Sequence, residues 1–324
     1  MGTSNTYIYR KGRGIVVREP SAIAINEENC RVVALGEGAY KMIGKEPLGI
    51  KALKPIHDGV ISEFDVTVAM LHGFFVMGAG KGSLNRPYVV LTASNSVTEV
   101  EKRALEEAAN EAGARSVAIV PSPFAAALGA GLPIGEPRGS MIVNIGGGTT
   151  DVAVLSMGGI IHSEAVRVGG DEIDEAIASY LKRTYNLMIT PNDAEELKRT
   201  LGTLAISPEE KTAEVCGKDG VSGLPLTVSV KNTELREPIA EQMARIADCI
   251  KSTLEKLHPE LSADIHDYGM TVSGGVALLD GIKDYFSNIF GFEVKIADSP
   301  ADCCVNGIQK MLELFPEALN FNQR

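Results

Sequence analysis

The chain has 324 residues and a mass of 34.4 kDa, which is enough for two domains with substantial hydrophobic cores. Hydrophobic residues make up 44% of it and aromatic residues 5%, a composition typical of a soluble α/β protein rather than a disordered one. The formal net charge of −11 argues against a broad nucleic-acid-binding surface, because such surfaces are built from clustered lysine and arginine. We therefore expect no nucleic acid among its partners.

The cysteines and histidines form no metal-binding pattern. Five cysteines occur, with no CxxC pair and no Cys/His spacing that could complete a zinc tetrahedron, and the five histidines are scattered. This usage indicates reduced cysteines in a cytosolic protein. No apolar run reaches the roughly 18 residues of a membrane span and no signal peptide is recognisable, so we expect a cytoplasmic location.

The first predicted elements follow a turn rich in glycine and threonine. Gly2-Thr3-Ser4-Asn5-Thr6 precedes YIYRKGRGIVV, which predicts two short strands joined by a glycine-marked hairpin. Thr98 and Glu101 form the ends of a capping box, which indicates the start of a helix. In chain order we then predict a helix near 66–78, a strand at 88–92, a helix at 98–112, a strand at 116–120 and an alanine-rich helix at 123–130.

The second part of the chain repeats this order of elements. Gly146 corresponds to Gly2, an offset of 144 residues (146 − 2 = 144), and its glycine/threonine turn precedes DVAVLSMGGII. In chain order we predict helices within 171–201 and 233–257, a strand at 270–273, a helix at 277–289, a strand at 292–296 and a helix near 303–314.

Because the same order occurs twice, we predict an α/β fold of two similar halves around a cleft. The first half covers 1–137 and the second 138–310, with inserted subdomains at about 24–57 and about 173–235. A C-terminal helix at 311–324 is expected to pack back on the first half. A nucleotide would lie between the halves, with its phosphates held by the N–H groups of both glycine hairpins.

Several segments in order carry a resemblance to a known family. They are GTSNTYIYRKGRGIVVREPSAIAI, DGVISEFDVTVAML, TEVEKRALEEAANEAGARSV, AAALGAGLPI, IGGGTTDVAVLSMGGI, GGDEIDEAI and SGGVALLDGI. Over nearly its whole length the chain resembles the bacterial actin family, in the branch of the rod-shape proteins MreB and Mbl. The resemblance implies a duplicated actin-like fold, shared with hexokinase and the heat-shock ATPases, with ATP in the cleft.

The same resemblance implies cytoskeletal filaments built from copies of this chain at the inner face of the cell membrane. Such filaments determine cell shape by organising cell-wall synthesis, so membrane-embedded cell-wall synthesis proteins are implied as partners. A paralogous MreB-like subunit that co-polymerises with this chain also fits. Membrane-surface contact is expected to be weak, because Ser83-Leu84-Asn85 offers one leucine where the family has a hydrophobic tip, and Phe74–Met77 is better explained as helix core.

The resemblance further implies which residues bind the nucleotide. Two hairpins contact the phosphates, one helix holds the ribose and adenine, and one loop closes over the nucleotide. The expected nucleotide-binding residues are Thr3, Ser4, Asn5, Gly146, Gly147, Gly148, Thr149, Glu195, Lys198, Arg199, Gly274, Gly275, Val276 and Ala277. Val276 replaces a glycine of the family, and its β-branched side chain is expected to weaken nucleotide affinity.

Three features depart from the family at the site of hydrolysis. The family's first strand, which ends in Asp-x-Gly and organises Mg²⁺, has no counterpart ahead of Gly2. Asn144 replaces a metal-side carboxylate and brings no charge, so Mg²⁺ would be held mainly by the phosphates. Ser122 replaces the glutamate that positions the attacking water. Losing one such group commonly costs roughly 100- to 1000-fold in rate, so we expect ATP binding with weakened or lost hydrolysis.

Three other functions remain open. A fully active filament-forming ATPase would need an upstream start that supplies the missing strand, and a magnesium site that tolerates Asn144. A sugar or acetate kinase of the same fold would need a carboxylate base, which Pro121-Ser122-Pro123 does not supply. A chaperone-type ATPase would need a peptide-binding domain, for which the residues after Phe315 are too few. The sequence favours the filament subunit.

Overall fold

The structure, a computed structural model, describes residues 1–79, 86–206 and 209–314. Its strands are β1 (Asn5–Arg10), β2 (Gly14–Pro20), β3 (Ile23–Asn26), β4 (Val32–Leu35), β5 (Ile50–Leu53), β6 (Ile56–His57), β7 (Val60–Ile61), β8 (Tyr88–Ala93), β9 (Ser116–Pro121), β10 (Ser140–Ile145), β11 (Thr150–Ser156), β12 (Gly159–Val166), β13 (Leu187–Met188), β14 (Thr212–Asp219), β15 (Pro225–Lys231), β16 (Met270–Ser273) and β17 (Val294–Ile296). Its helices are α1 (Glu37–Tyr40), α2 (Phe64–Ala79), α3 (Glu99–Glu111), α4 (Ser122–Gly129), α5 (Gly170–Tyr185), α6 (Pro191–Leu201), α7 (Asn232–Glu255), α8 (Pro259–Tyr268), α9 (Ile282–Phe290) and α10 (Cys303–Leu314).

A five-stranded mixed sheet forms the centre of the second half, in the order β12-β11-β10-β16-β17. Strand β10 is antiparallel to β11 and parallel to β16, and every residue of β10 and β11 is buried. Met141, Val143 and Ile145 pack in one hydrophobic cluster with α5 and α7, while Ile142 packs in another with α4. The sheet is therefore covered on both faces, which explains its continuous apolar runs.

In place of the five-stranded sheet of the second half, the first half has separate two-stranded sheets, β1-β2 and β8-β9, and it also contains the short pair β6-β7. Strands β1 and β2 form an antiparallel hairpin, and β8 and β9 form a parallel pair. By the internal duplication, β1 and β2 correspond to β11 and β12, and β8 and β9 correspond to β16 and β17. No described strand of the first half corresponds to β10.

Each half also contains a small three-stranded antiparallel sheet. In the first half the order is β4-β3-β5, packed on α1, and in the second it is β13-β14-β15. Both sheets lie within the segments predicted to be insertions. The boundaries of the halves and insertions stay predictions.

The helix predicted at 277–289 begins later than expected. Residues Gly275–Leu278 form a 3-10 turn, and α9 starts at Ile282. Gly281 separates the two at φ 75°, a left-handed conformation that a continuous α-helix does not contain. Helix α8 has no counterpart among the predicted elements, because it is a short helix with a single buried residue, Ile265, and so lacks an apolar stripe.

Helix α10 packs closely against α4 of the first half. A methyl group added at Gly129 would lie 1.8 Å from the carbonyl oxygen of Cys303, and one added at Gly307 would lie 1.9 Å from that of Ala125. The two backbones can approach this closely because both positions lack a side chain. Of the helix predicted at 311–324, residues 311–314 form the end of α10, and the rest lies outside the described residues.

Candidate nucleotide-binding cleft

A large cavity of about 2190 Å³ runs between the two halves. Both glycine hairpins, the Gly274 loop and helix α6 contribute to its wall. Of the residues expected at the site, the following line it: Thr3, Ser4, Asn5, Ser122, Asn144, Gly146, Gly147, Thr149, Glu195, Lys198, Arg199, Gly274, Gly275 and Val276. Gly148 and Ala277 are not among its lining residues; Ala277 is buried in the core of the second half.

The two glycine hairpins lie directly against each other. A side chain at Gly147 would place its Cβ 2.1 Å from Ser4 Oγ, and one at Gly148 would place it 2.9 Å from Thr3 Oγ1. The N–H of Gly146 closes its own turn on Thr149 O at 2.8 Å, and Gly170 N–H donates to Gly146 O at 3.0 Å. Glycine is therefore required at Gly147 and Gly148 by close approach rather than by backbone conformation.

Glu195 reaches across the cleft to the first half. Its Oε2 accepts a hydrogen bond from the Tyr40 hydroxyl at 2.6 Å, and its Oε1 pairs with Arg199 Nη2 at 2.7 Å. Burial acts to raise the pKa of Glu195, but the Tyr40 hydrogen bond and the charges of Lys54, Arg199 and Lys198 outweigh burial and leave the pKa low. Burial and the bond to Glu195 raise the pKa of Tyr40. Glu195 is thus an ionised group that already has partners in both halves.

Lys198 faces the start of helix α5. Its Nζ donates to Gly170 O at 2.8 Å and pairs with Asp174 Oδ2 at 2.8 Å. Burial raises the pKa of Asp174 to about 7 in spite of this pairing, and its Oδ1 is buried with no hydrogen-bond partner among the described residues. Lys198 lies in the cavity wall beside Gly170, so its positive charge faces the cavity.

The two positions where carboxylates were expected surround a thiol instead. Asn144 Oδ1 accepts a hydrogen bond from the Ser273 hydroxyl at 3.1 Å, and the carbonyl oxygen of Ser122 accepts one from Cys304 Sγ at 3.7 Å. Burial raises the pKa of the Cys304 thiol to about 12, so this group is uncharged at neutral pH. This part of the site therefore carries no negative charge from Ser122, Asn144 or Cys304.

The loop at Gly274 closes the cavity against β10. Gly274 has φ 89°, and a side chain there would meet Ile145 O at 2.1 Å, so this glycine is needed for both conformation and space. Val276 is 7% exposed and lines the cavity. Its side chain stands where the backbone was expected to approach adenine.

Asp151 is a carboxylate of the cleft to which the sequence analysis assigned no role. It is 1% exposed, lines the cavity, and accepts hydrogen bonds from the Ser94 hydroxyl and the Asn95 N–H, both at 2.8 Å. Burial raises its pKa to about 6 even though both hydrogen bonds act to lower it. Its position one residue after the hairpin was the only available signal.

The sequence analysis also did not predict three other residues of the cleft, Tyr40, Lys54 and Asp174. Tyr40 and Lys54 lie in the first insertion, 155 and 141 residues before Glu195, so no local pattern links them to the cleft. Asp174 could have been found from its spacing to Gly170, since it lies four residues later, one turn further along the same helix.

The oxygen donors of the cleft do not match the Mg²⁺ site that the resemblance implies. The described residues hold no group of three or more His, Cys, Asp or Glu side chains placed to bind a metal ion. Asn144 offers an amide oxygen already bonded to Ser273, which does not fit a Mg²⁺ held by protein carboxylates. The residues present therefore fit a nucleotide better than a protein-bound Mg²⁺.

The two segments considered for membrane contact are residues 83–85 and 74–77. Ser83-Leu84-Asn85 lies outside the described residues. In helix α2, Phe74 is buried as expected, whereas Val76 is 57% and Met77 48% exposed. None of the helices in the described ranges is long and apolar enough to span a bilayer.

Comparison with known proteins identifies relatives that match this chain over nearly its whole length, including both halves and the residues of the cleft. The sequence profile of the MreB/Mbl protein family matches residues 1–320. Cell shape-determining protein Mbl of Bacillus subtilis strain 168 is 40% identical over 313 residues, 97% of this chain and 94% of the relative. Cell shape-determining protein MreB of Escherichia coli K12 is 40% identical over 320 residues, 97% and 92% of the two chains.

Solved structures agree with the sequence relatives. MreB5 of Spiroplasma citri bound to ADP is similar with a TM-score of 0.92 and 36% identity, over 98% of this chain and 95% of that one. The MamK double helical filament, at 22% identity, matches with a TM-score of 0.81 over 97% of each chain, which supports the actin-like fold. The chain therefore belongs to the MreB/Mbl family and has its actin-like fold.

Proposed function

We propose that this protein is an ATP-binding subunit of cytoskeletal filaments that determine cell shape by organising cell-wall synthesis, and that it hydrolyses ATP weakly or not at all. The cell-shape role is supported by the cell shape-determining proteins Mbl and MreB, each 40% identical to this chain over 97% of its length. From the family resemblance we extend the proposal to self-assembly and to a position at the inner face of the cell membrane. We also extend it to contact with membrane-embedded cell-wall synthesis proteins or with a paralogous subunit.

The observation that carries nucleotide binding is the pair of apposed glycine hairpins at the cavity. Backbone N–H groups of such hairpins bind phosphate without needing a side chain. Solved relatives were bound to ADP and to AMPPNP. The residues proposed to contact the phosphates are Thr3, Ser4, Asn5, Gly146, Gly147, Gly148 and Thr149.

The rest of the proposed binding set would contact the nucleoside. Glu195, Lys198 and Arg199 would hold the ribose and adenine, and the loop of Gly274, Gly275 and Val276 would close over them. Mg²⁺ would be carried by the phosphates, where it would neutralise their charge. Glu195 could reach a ribose hydroxyl only by sharing or releasing its bond to Tyr40.

ATP binding is tested with two matched valine variants. Gly147→Val places a side chain against Ser4 Oγ, so we expect at least a tenfold loss of affinity for a fluorescent ATP analogue. Gly159→Val is the control, because Gly159 has no heavy atom within 4 Å of a new Cβ. Equal affinity in the two variants would contradict the proposed phosphate site.

Weak hydrolysis is tested by measuring phosphate release from Mg-ATP at assembling protein concentrations. We expect the native chain to release no more phosphate than Gly147→Val, because Ser122 and Asn144 lack carboxylates. The double variant Ser122→Glu with Asn144→Asp should release more, since it restores a water-positioning group and a charge. Release by the native chain clearly above that of Gly147→Val would contradict weak hydrolysis.

One observation favours a second function, a fully active filament-forming ATPase. Asp151 lines the cavity with a pKa of about 6, close to the value suited to a general base at neutral pH. In that case phosphate release would exceed that of Gly147→Val and would be lost in Asp151→Asn while ATP binding is retained.

A further inference from the structure

The ammonium group of Lys198 lies where three segments of the proposed nucleotide site meet. A methyl group added at Gly170, the first residue of α5, would lie 3.0 Å from Lys198 Nζ. The same methyl group would lie 3.5 Å from Val276 Cγ2 in the closing loop and 3.7 Å from Gly146 O in the second glycine hairpin. Because Lys198 also lines the cavity, the position of its ammonium group determines what a bound nucleoside would meet there.

Two contacts hold this ammonium group, and both come from helix α5. Lys198 Nζ donates to Gly170 O and to Asp174 Oδ2, each at 2.8 Å. An ammonium group has three N–H donors, and the third has no partner among the residues that the structure describes. Since Lys198 lines the cavity, the third N–H is available to a nucleoside in the cleft.

The stability of the fold does not explain the carboxylate of Asp174. The side chains of Asp174 and Lys198 are 9% and 14% exposed, so the ion pair is largely buried. Asp174 Oδ2 faces Lys198, whereas Oδ1 is buried without a hydrogen-bond partner in the described ranges of the chain. A buried ion pair often stabilises a fold no more than apolar side chains would, and an unpaired buried oxygen is unfavourable. The pair is better explained by what it does to Lys198.

A lysine needs such a partner because its charge stands at the end of a flexible chain of four carbons. Glu195, three residues earlier on α6, is close enough for the charge of Lys198 to help lower its pKa. Without the charge of Asp174, only Gly170 O would hold Nζ at the floor of the cleft, and Glu195 would attract it elsewhere. Asp174 therefore keeps the ammonium group in one position.

The charge of Asp174 changes near neutral pH. Burial raises its pKa to about 7, the charge of Lys198 acts to lower it, and the charges of Glu195 and Asp171 act to raise it. Tyr40, from the first half, is also within range, since the charge of Asp174 helps to raise the Tyr40 pKa. As the pH falls through about 7, Asp174 becomes neutral and its attraction for Lys198 is lost.

Two further elements, helix α7 and strand β13, pack against α5. Glu234 of α7 accepts hydrogen bonds from Tyr180 and Tyr185, toward the other end of α5 from Asp174. Strand β13 has no titratable side chain. The charge on Asp174 is therefore set mainly by burial and by the groups of α5 and α6.

We propose that Asp174 is a positioning residue for nucleotide binding: its carboxylate holds the Lys198 ammonium group so that the third N–H donates to an acceptor of the bound nucleoside. This inference rests on the proposed ATP-binding function and adds a residue that does not itself line the cavity. Affinity for ATP should consequently fall as Asp174 becomes protonated.

The first test is calorimetric titration of the full chain with Mg-ATP at pH 8.5, where Asp174 is ionised. Asp174→Asn imitates the protonated acid in shape, and it should bind Mg-ATP roughly fivefold or more weakly than the native chain. Glu175→Gln is the matched control, because it removes one carboxylate from the next, exposed position of the same helix. Equal affinity of the native chain and Asp174→Asn overturns the proposal, and so does an equal loss in Glu175→Gln.

The pH profile separates positioning from a structural role. At pH 5.5 Asp174 of the native chain is neutral, so the native affinity should come within about twofold of that of Asp174→Asn. Groups that titrate in both proteins cancel in this ratio. A structural defect would weaken the variant by the same factor at pH 5.5 and pH 8.5, and that result overturns the proposal.

A double-mutant cycle tests whether Asp174 acts through Lys198. In the Lys198→Met background, Asp174→Asn should change the affinity for Mg-ATP by less than about twofold, because no ammonium group remains to be positioned. An undiminished effect in that background overturns the assignment. The cycle is supported by a comparison that needs no change at Asp174: between pH 8.5 and 5.5 the native chain should lose more affinity than Lys198→Met, and equal losses overturn the proposal.

Failure of the nucleotide site itself gives a different result. A native chain that binds no Mg-ATP overturns the proposed function and this inference together. Binding of Mg-ATP that weakens in Gly147→Val but not in Asp174→Asn overturns the role of Asp174 alone, and the nucleotide site stands.

Discussion

Asp151 shows how one buried carboxylate makes the stability of the protein depend on pH. Its pKa is raised by burial to about 6, above the ordinary value for an aspartate. The folded chain therefore binds more protons than the unfolded chain between roughly pH 4 and 6. Consequently the free energy of unfolding falls as pH rises through that window, and the ionised group costs about 3 kcal/mol at pH 7.

The change Asp151→Asn should stabilise the protein at neutral pH. The amide oxygen can still accept from Ser94 and Asn95, and no charge is buried. We expect the free energy of unfolding to rise by about 1–3 kcal/mol at pH 7.5 and by only about a third as much at pH 4.5. Chemical denaturation of both proteins at the two pH values measures this. A gain of equal size at both pH values would contradict the role of the buried charge.

At the scale of elements, the contact between α4 and α10 depends on two glycines. Gly307 faces Ala125 O and Gly129 faces Cys303 O, each closer than a side chain permits. Helix α10 also contacts β1, so this helix joins the end of the described chain to its beginning. The closeness of the helices follows from alanine and glycine at their interface.

The change Gly307→Ala should destabilise the protein, although alanine normally favours a helix. The new methyl group would lie 1.9 Å from Ala125 O, so α10 must move, and such overpacking typically costs about 1–3 kcal/mol. Gly135→Ala is the control, because nothing lies within 4 Å of a methyl group there. Thermal unfolding should show a lower Tm for Gly307→Ala only; an equal or higher Tm would show that the helices separate without cost.

At the scale of the whole molecule, the two insertions meet across the cleft. Tyr40 donates to Glu195, and Asn192 Nδ2 donates to Tyr40 O at 2.8 Å. Lys54 lies 3.6 Å from Asp171 and 4.0 Å from Glu195. These contacts join the two sides of the cleft, so we expect them to resist the opening that the proposed nucleotide would need to enter or leave.

The change Tyr40→Phe should therefore speed nucleotide release. It removes one hydrogen bond to a charged group while keeping the ring, and for this partly exposed contact we expect release about 3- to 10-fold faster. Stopped-flow displacement of a fluorescent ATP analogue measures the rate. Tyr180→Phe is the control, because Tyr180 bonds Glu234 at 3.1 Å within the second half. Unchanged release in Tyr40→Phe would show that this bond does not resist opening.

The sequence by itself determined the features that depend on residues close together in the chain. The duplication, the two hairpins, the capping box at Thr98 and the order of strands and helices follow from local periodicity and turn chemistry, and the structure confirms the capping box and the actin-like fold. The prediction of a helix at 277–289 was wrong at its start. Gly281 interrupts the helix through its left-handed backbone conformation, which the spacing of apolar residues does not reveal.

Only the tertiary structure decided which distant side chains meet. Tyr40 and Glu195 are 155 residues apart, and Asp151 meets Ser94 across 57 residues, so neither contact leaves a periodic signal. That β1-β2 and β8-β9 form separate sheets in the first half appears only in three dimensions. Local sequence sets which elements form, whereas pKa values, partners and cavities depend on packing between elements far apart in the chain.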